Sequence, residues 1–246
     1  MKIYWALERI STLIDEVDFI DTMLVLGDQE GEVLGRLKVP KRRQEWLAGR
    51  LLTKRLIRLA DSQCKNLNFN EIQVLNAASG APYVVIRGNQ KTSRSISISH
   101  SNGYALSAYS VDGVHFGFDL EKIEPRSKVF VQDFFTSREL AQIETITPSE
   151  QPLYTTVIWS AKESVLKALS TGLRVDTRNI EIGLTEIPIL RRGWKSLEME
   201  SGLVKINSLR LVWRREGEFV ITACVPPNFV DGLEQIDPYN NLDCGR

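Results

Sequence analysis

The sequence predicts an α+β fold, because helical and strand-like patterns occupy separate stretches of the chain. Residues 40–61 carry apolar side chains at helical spacing, and residues 159–170 show a second helical pattern. Between them, short segments alternate apolar and polar residues and are separated by turn sequences, which is typical of strands. No Pro- or Gly-rich linker divides the chain, so its length suits one large domain or two compact lobes.

The composition excludes several classes of protein. Of 246 residues, 43% are hydrophobic and 25% are charged, which favours a packed core over a disordered chain. The 31 basic and 31 acidic residues cancel, so the charge of a general nucleic-acid binder is missing and any polyanion site must be local. No signal peptide or membrane-length apolar run is present, and the cysteines show no disulfide or zinc spacing: Cys64, Cys224 and Cys244. We therefore expect a cytoplasmic protein.

The helix predicted over residues 40–61 has an apolar side and a basic side. The apolar positions are Leu47, Leu51, Leu52 and Leu56, and the basic positions are Arg43, Arg50, Lys54 and Arg58. Such a basic stripe either binds an anion or is a solvated charged face, and the helix by itself does not decide between them.

Strand and turn patterns fill the centre and the end of the chain. A turn at residues 77–82 precedes the strands predicted at 83–86, 95–99, 104–109 and 114–121, so the centre resembles a meander. Thr136-Ser137-Arg138-Glu139 is a capping box that predicts the start of a short helix. Residues 209–213 and 219–225 predict a hairpin, whereas the tail from Pro226 has an irregular pattern.

Trp159, Glu163 and Lys167 share one side of the second predicted helix, because residues four apart lie above one another. One interpretation is an ordinary amphipathic helix, in which Ser160 and Glu163 form a capping box and Glu163 pairs with Lys167. The other interpretation is a functional surface, since few cores need an aromatic ring, a carboxylate and an ammonium group together.

Asp119 and Glu121 point to the same face of the strand predicted over residues 114–121. Two neighbouring carboxylates repel each other unless a cation lies between them. Because Mg²⁺ binds carboxylates, waters and phosphate oxygens, Asp119 and Glu121 together with Glu163 are candidate metal ligands. The alternative is an exposed acidic edge strand.

Ser99 and His100 end the strand predicted over residues 95–99. A serine hydrolase is not indicated, because no G-x-S-x-G motif is present, and a phosphate contact suits the pair better. His100 alone could equally be a turn residue bonded to nearby backbone. Together with the basic helix and the three carboxylates, these residues predict phosphoryl transfer without a P-loop or kinase motif.

One spacing occurs twice. The pattern W-x3-R-x3-K that begins at Trp46 matches the pattern W-x3-E-x3-K that begins at Trp159. If the match reflects a repeat, it predicts two similar halves, of which the first binds an anion and the second a cation.

Several of these segments resemble the motifs of one family. Gly117–Glu121 and Trp159–Lys167 are similar to the two signature motifs of the 4′-phosphopantetheinyl transferases of the surfactin-synthetase-activating type. Ser97–Ser101 resembles the Ser-His motif of that family, Phe134–Glu139 its segment between the signatures, and Trp46–Arg50 its Arg-containing helix. The resemblance is close over residues 95–172 and looser over 40–225.

This resemblance implies a fold, a reaction and a partner. The fold would consist of two similar α/β halves related by a pseudo-twofold axis, residues 1–112 and 113–246, with the active site in the cleft between them. The 4′-phosphopantetheine arm of coenzyme A would move to a serine of an apo acyl carrier protein or of a peptidyl or polyketide carrier domain, releasing 3′,5′-ADP. A monomer that uses neither nucleic acid nor membrane is expected.

The resemblance also assigns roles to residues. Asp119, Glu121 and Glu163 would bind Mg²⁺ against the pyrophosphate. Glu163 or a metal-bound water would take the serine proton, and Lys167 would orient that base and the attacked phosphate. The expected contacts to coenzyme A are Lys41, Arg43, Arg50, Gly80, Pro82, Ser99, His100, Lys162 and Lys167.

One position departs from the family pattern. Where the family commonly has Gly-Lys-Pro-Tyr, this chain has Gly80-Ala81-Pro82-Tyr83, so a lysine that would touch the nucleotide phosphates is absent. We expect weaker coenzyme A binding, or compensation from the adjacent basic residues Lys41, Arg42 and Arg43.

Two other functions compete with a transferase. A metal-dependent nuclease also joins carboxylates to a lysine, but Glu121 and Lys122 would point to opposite faces of a strand. A module that binds coenzyme A or a carrier protein without turnover is disfavoured by the intact carboxylates, although Ala81 leaves it open.

Overall fold

A computed structural model of the chain describes residues 1–19, 22–90, 93–171, 174–184, 193–201 and 208–239. The chain forms two compact units. The first comprises Met1–Ala77, Pro82–Val114 and the residues from Gly232 onward, and the second comprises Ala78–Ala81 and His115–Asp231. The predicted halves divide the chain once, between residues 112 and 113, whereas each observed unit includes a segment from elsewhere in the chain.

Helices and strands both occur in each unit. The helices are Ile10–Phe19 (α1), Thr22–Val25 (α2), Asp28–Arg36 (α3), Pro40–Ala60 (α4), Lys128–Phe134 (α5), Ser137–Glu144 (α6) and Gln151–Ala168 (α7). The strands are Ile3–Arg9 (β1), Ile72–Asn76 (β2), Pro82–Ile86 (β3), Asn89–Gln90 (β4), Ser95–Ser101 (β5), Tyr104–Ser110 (β6), Gly117–Lys122 (β7), Ile180–Gly183 (β8), Lys195–Ser201 (β9), Arg210–Glu216 (β10), Phe219–Val225 (β11) and Leu233–Gln235 (β12). This mixture confirms the predicted α+β class.

The first unit is built around a four-stranded sheet with the strand order β12-β1-β6-β5. Helix α4 packs on this sheet through Leu51, Leu52 and Leu56, all of which are buried. A smaller sheet, β2-β3-β4, also contacts α4. The helix predicted over residues 40–61 is therefore confirmed, and it begins at Pro40, whose missing N–H costs nothing in the first helical turn.

Strands β5 and β6 form the hairpin that the central pattern predicts. Asn102 and Gly103 connect them, with φ angles of 44° and 83°. Positive φ at both central residues is what a two-residue turn of type I′ requires, and asparagine and glycine tolerate it best.

Two predictions about chain topology are wrong. Strand β7 does not continue the meander: it pairs with β11, whose seven residues are all buried, and the strand begins at Gly117 rather than at residue 114. A strand with two buried faces gains more from pairing with such a central strand than from a hairpin at the sheet edge. The tail is not wholly irregular, because β12 pairs in parallel with β1.

The second unit is a five-stranded sheet with the order β7-β11-β10-β9-β8, and helix α7 packs against it. The predicted hairpin is confirmed as β10 and β11, joined at Gly217. The predicted capping box at Thr136 is confirmed at the start of α6. The capping box at Ser160 is wrong, because α7 already begins at Gln151 and Ser160 lies within it.

No helix in the described part of the chain is long and apolar enough to cross a membrane.

Candidate active site

Asp119 is buried in the second unit, where it is 3% exposed. Two side chains of α7 donate to its carboxylate: Ser160 Oγ to Oδ2 at 2.8 Å and Lys167 Nζ to Oδ1 at 2.7 Å. Ser160 is held in turn by Thr222 of β11, whose Oγ1 lies 2.9 Å from Ser160 Oγ. The buried charge of Asp119 is thus both paired and hydrogen-bonded, as a carboxylate inside a protein requires.

Gly117 lets strand β7 approach helix α7 closely. A Cβ atom at this position would lie 2.0 Å from the carbonyl oxygen of Ser164 and 2.6 Å from the amide nitrogen of Ala168. Because backbone atoms cannot move aside as a flexible side chain can, only glycine fits here. This close approach places the strand carboxylates beside the helix that carries Glu163.

Glu121 lies two residues beyond Asp119 on the same strand. Arg126 Nη2 donates to its Oε2 at 2.8 Å, and Trp159 Nε1 donates to its Oε1 at 3.1 Å. Burial raises the pKa of Glu121, and the negative charge of Asp119 raises it further, whereas Arg126 and Trp159 act in the opposite direction. Trp159 therefore orients a carboxylate rather than serving only as core.

Glu163 has the most perturbed carboxylate of the three. Burial, followed by the charge of Asp119, raises its pKa from 4.5 to about 7. The charge of Glu121 contributes in the same direction, and the ammonium group of Lys167 opposes it. A carboxyl group with a pKa near neutrality in the presence of two further carboxylates is typical of a functional site.

Asp119, Glu121 and Glu163 are the predicted cation ligands, and all three belong to the second unit. In the described ranges, no three His, Cys, Asp or Glu side chains converge into a tight metal-binding group. The donor set nevertheless fits Mg²⁺ chemically, because it consists of carboxylate oxygens whose charges disfavour one another's ionisation. The side chains that balance these charges in the structure are Lys167 and Arg126.

Lys167 was expected to orient Glu163, four residues before it. The hydrogen bond that it makes goes to Asp119, and its effect on Glu163 is electrostatic. The side chain of Lys167 is 27% exposed, so part of its ammonium group faces solvent. Its predicted role towards a phosphate is compatible with this position.

The predicted contact between Lys162 and a phosphate of coenzyme A is wrong for this structure. The side chain of Lys162 is fully buried, with its Nζ 2.8 Å from Glu139 Oε2. Nζ also donates to the carbonyl oxygens of Phe134 at 3.1 Å and Thr177 at 3.0 Å. Three donor positions are therefore used inside the unit, and an ammonium group has no more than three to offer.

In the first unit, Arg50 lies on the sheet side of α4 and is 7% exposed. Its guanidinium group stacks on the ring of Trp46, 4.2 Å from the centroid, and Nη2 donates to Asn76 Oδ1 at 2.5 Å. Burial lowers the pKa of Arg50 to about 10, so the group stays charged at neutral pH. The stacking on Trp46 and the hydrogen bond to Asn76 hold the guanidinium group of Arg50 in one orientation, as bidentate anion binding needs.

Other predicted anion contacts of the first unit cluster around Glu45. Its carboxylate lies 3.8 Å from Lys41 Nζ and 3.8 Å from His100 Nδ1. The side chain of His100 is half exposed at the end of β5, while Ser99 beside it is buried. Arg43 instead donates to the carbonyl oxygen of Leu34 at 2.8 Å. Lys41 and His100 thus lie near the same carboxylate, that of Glu45, whereas Arg43 contacts a different part of the unit.

The turn at residues 78–82 contains the departure from the family pattern. Gly80 has a φ of +89°, which a residue with a side chain rarely adopts, and Pro82 begins β3. The amide of Ala81 donates to Ser79 Oγ at 3.3 Å. Arg174 donates to the carbonyl oxygen of Ala78 at 3.1 Å, so a basic side chain contacts this turn although its lysine is missing.

Sequence reasoning missed four of the residues that shape the site. Arg126 and Ser160 contact the metal-ligand candidates of β7, Glu45 contacts Lys41 and His100, and Arg174 contacts the turn that carries Ala81. Ser160 was inside a motif that had been quoted, so its polarity within an otherwise apolar stretch was an available signal. Glu45 lies four residues after Lys41 on the same helix, so this pairing was a second local signal, whereas the contacts of Glu45 with His100 and of Arg174 with Ala78 join distant residues.

Comparisons with known proteins identify relatives of this chain. A family model described as the 4′-phosphopantetheinyl transferase superfamily matches residues 115–224. The holo-[acyl-carrier-protein] synthase of Geobacillus sp. (strain WCH70) is 36% identical over 109 residues, covering 43% of this chain and 88% of the relative. A 4′-phosphopantetheinyl transferase of Bacillus subtilis is 26% identical over 180 residues, covering 73% of this chain and 75% of the relative.

Among solved structures, the chain is similar to a holo-(acyl-carrier-protein) synthase from Bacillus anthracis str. Ames in complex with CoA (3′,5′-ADP). The TM-score is 0.37 at 24% identity, over 44% of this chain and 92% of that one.

The sequence relatives define a transferase, and the carboxylates of β7 and α7 lie within the residues that the family model matches. The chain belongs to the 4′-phosphopantetheinyl transferase superfamily, and the predicted enzyme class is confirmed. The roles predicted for individual residues stay predictions.

Proposed function

We propose that the chain transfers the 4′-phosphopantetheine group of coenzyme A to a serine hydroxyl of an apo carrier protein and releases 3′,5′-ADP in a Mg²⁺-dependent reaction. The observation that carries this proposal is the cluster of Asp119, Glu121 and Glu163 with Lys167 on β7 and α7. This cluster lies within the residues that the family model matches. Phosphoryl transfer depends on positioning and charge neutralisation, which such a cluster supplies.

The three carboxylates would hold Mg²⁺, which when bound neutralises charge on the phosphate oxygens. Burial, and after it the charge of Asp119, raises the pKa of Glu121 and of Glu163, and a divalent cation held between the carboxylates would offset that repulsion. Arg126 and Trp159 hold Glu121 in place, and Ser160 holds Asp119, so the oxygens are oriented before any cation arrives.

Glu163 would accept the proton of the attacking serine. Before a cation binds, burial and the charge of Asp119 raise the pKa of Glu163 to about 7, so this carboxylate accepts a proton more readily than a free glutamate does. In the balanced step, the serine oxygen forms a bond to the phosphorus atom, and the bond from phosphorus to the bridging oxygen of 3′,5′-ADP breaks. The electron pair leaves with that oxygen, the serine proton passes to Glu163, and Lys167 would orient the attacked phosphate.

Residues of the first unit would bind the phosphates of coenzyme A. Arg50 is the best supported, because Trp46 and Asn76 already fix its guanidinium group. His100 and Lys41 present exposed cationic or donor atoms beside Glu45. The remaining proposed contacts are Arg43, Ser99 and Pro82 of the first unit and Gly80 of the second.

The relatives named holo-[acyl-carrier-protein] synthase support an acyl carrier protein as the acceptor. Carrier domains of peptide or polyketide synthases are the further acceptors that we propose on the resemblance. We also propose a cytoplasmic monomer, for which the buried thiols of Cys64 and Cys224 are suitable.

The test is transfer to a purified apo carrier protein. The chain is incubated with coenzyme A and Mg²⁺, and the carrier is weighed by mass spectrometry for the addition of one phosphopantetheine. Glu163→Gln should abolish transfer, and EDTA should do so reversibly. The matched control is Glu144→Gln, an exposed carboxylate on α6, which should transfer at the unaltered rate.

Two results would contradict the proposal. An unchanged mass with acyl, peptidyl and polyketide carriers would remove the transferase function. Degradation of DNA by the purified chain, lost in Asp119→Ala, would favour a metal-dependent nuclease instead.

A further inference from the structure

The second unit contains a fully buried ion pair that the reaction does not use. Lys162 Nζ and Glu139 Oε2 lie 2.8 Å apart, and both side chains have no exposed surface. Removing two charges from water is costly, and the cost is recovered only where the geometry and the additional hydrogen bonds are good.

This pair joins five segments of the second unit. Lys162 on α7 donates to the carbonyl oxygens of Phe134 and Thr177. Glu139 on α6 accepts from the amide of Thr136 at 2.8 Å and from the amide of Ile182 in β8 at 2.8 Å. These contacts fix the rotation of helix α7 about its axis and its position along that axis relative to α5, α6 and β8.

The same pair sits directly behind the carboxylate cluster. Lys162 immediately precedes Glu163, so any rotation of α7 that moves one moves the other. Phe134, whose carbonyl accepts from Lys162, packs its ring 5.1 Å from that of Trp159. Trp159 in turn donates to Glu121. Glu163 is thus the residue next to Lys162, and Glu121 is linked to the buried pair through Phe134 and Trp159.

The first unit contains an equivalent buried Lys–Glu pair. Lys54 Nζ on α4 lies 2.5 Å from Glu30 Oε2, again with no exposed surface on either side chain, and donates to the carbonyl oxygen of Val25 at 2.7 Å. Glu30 accepts from the amide of Gly27 at 3.0 Å and from the amide of Val74 in β2 at 2.8 Å. In both units a glutamate in the first turn of a short helix thus binds a lysine of the long helix and a strand amide.

This device also lies beside a functional residue in the first unit. Arg50 precedes Lys54 by one helical turn, and Asn76, which binds Arg50, belongs to the same strand as Val74. The chain therefore places one buried Lys–Glu pair behind a proposed cation site and another behind a proposed anion site.

We propose that each buried Lys–Glu pair is a positioning element for its own unit: Lys162–Glu139 sets the carboxylates of Glu163 and Glu121, and Lys54–Glu30 sets Arg50. This inference rests on the proposed function for the identity of the positioned groups. One pair would position the cation ligands, and the other would position Arg50, the proposed phosphate-binding residue.

The test compares two matched double variants of the full-length chain. Lys162→Met with Glu139→Gln removes both charges of one pair, keeps the side-chain volumes similar, and leaves an oxygen that can accept from the strand amide. Lys54→Met with Glu30→Gln makes the same change in the other unit. Both variants avoid the unpaired buried charge that a single substitution would leave, and urea unfolding verifies that each still folds cooperatively.

Two readouts separate positioning from mere stability. Mn²⁺ binding, followed by electron paramagnetic resonance, reports on the carboxylates without any turnover. Transfer kinetics with a carrier protein give kcat and the KM for coenzyme A. We expect Lys162→Met/Glu139→Gln to weaken Mn²⁺ binding and lower kcat by about tenfold or more, with little change in KM. Lys54→Met/Glu30→Gln should raise KM for coenzyme A several-fold and leave Mn²⁺ affinity and kcat within about twofold.

The inference is overturned if Lys162→Met/Glu139→Gln binds Mn²⁺ and turns over like the unaltered chain. It is equally overturned if both double variants lose kcat and Mn²⁺ affinity to the same extent, because the pairs would then act only through overall stability. Failure of the unaltered chain to modify any carrier counts against the proposed function instead, and the positioning role is then judged from Mn²⁺ binding alone.

Discussion

Glu163 makes the stability of the chain depend on pH in a direction opposite to that of most carboxylates. Its pKa is raised by burial and by Asp119, so the folded chain prefers the protonated carboxyl group more than the unfolded chain does. The stability that this preference contributes is fully present below the unfolded pKa of 4.5 and is lost as the pH rises through about 7. Replacing Glu163 by glutamine, which cannot ionise, removes this loss.

The magnitude follows from the two pKa values. One pKa unit corresponds to about 1.4 kcal/mol, so a rise from 4.5 to about 7 opposes the ionised form by up to about 3 kcal/mol. Most of this difference develops between about pH 5 and pH 8, where it amounts to roughly 2.5 kcal/mol. Over that range, the unaltered chain should lose about 2.5 kcal/mol more of its free energy of unfolding than Glu163→Gln.

Urea unfolding in EDTA at several pH values between these limits measures the difference directly. Groups distant from Glu163 titrate alike in both proteins, so the difference between the two curves reports Glu163 together with its electrostatic coupling to the neighbouring carboxylates. Glu144→Gln, an exposed carboxylate on α6, should follow the unaltered chain at every pH. Curves for the unaltered chain and Glu163→Gln that stay parallel within about 0.5 kcal/mol would refute the reasoning.

Three further outcomes are expected. Gly117→Ala should destabilise the chain by at least about 3 kcal/mol in urea unfolding, because the new Cβ would lie 2.0 Å from the Ser164 carbonyl oxygen, whereas Gly31→Ala, with nothing near its Cβ, should be neutral or slightly stabilising. Ala81→Lys should lower the KM for coenzyme A several-fold without changing kcat, and an unchanged KM would mean that the turn does not approach a phosphate. Trp159→Phe should leave folding cooperative but weaken Mn²⁺ binding by about tenfold, since it removes the indole N–H bond to the strand carboxylate along with part of the ring packing, and full retention of affinity would assign that indole to the core alone.

Local patterns predicted most of the regular structure, because helices and hairpins are specified by neighbours in sequence. The helix from Pro40 begins where the proline indicates, and the hairpin at Asn102 and Gly103 has the turn that those residues favour. Strand partners could not be obtained in the same way. Strand β7 looked like the next strand of a meander, yet it pairs with β11 about a hundred residues later, and no local alternation carries that information.

The same distinction between local patterns and distant contacts applies to the candidate site. Residue types and spacing were enough to select Asp119, Glu121 and Glu163, because carboxylates on one strand face and one helix face are unusual without a cation. The contacts of Ser160 with Asp119 and of Trp159 with Glu121 were not predictable, since they join positions 41 and 38 residues apart through tertiary packing. The wrong contact for Lys162 has the same origin, because its partner Glu139 lies 23 residues away.

The internal repeat shows why spacing alone gave the wrong correspondence. The sequence aligns Lys54 with Lys167, because each follows a tryptophan by eight residues. The structure instead makes Lys54 the counterpart of Lys162, since both are buried lysines on a long helix that bind a glutamate in the first turn of a short helix. With that correspondence, Glu163 matches Arg55 rather than Arg50, so the cation site and the anion site are not equivalent positions of a repeat. In both units a buried Lys–Glu pair holds the long helix, and the proposed anion and cation sites lie at different positions relative to that pair.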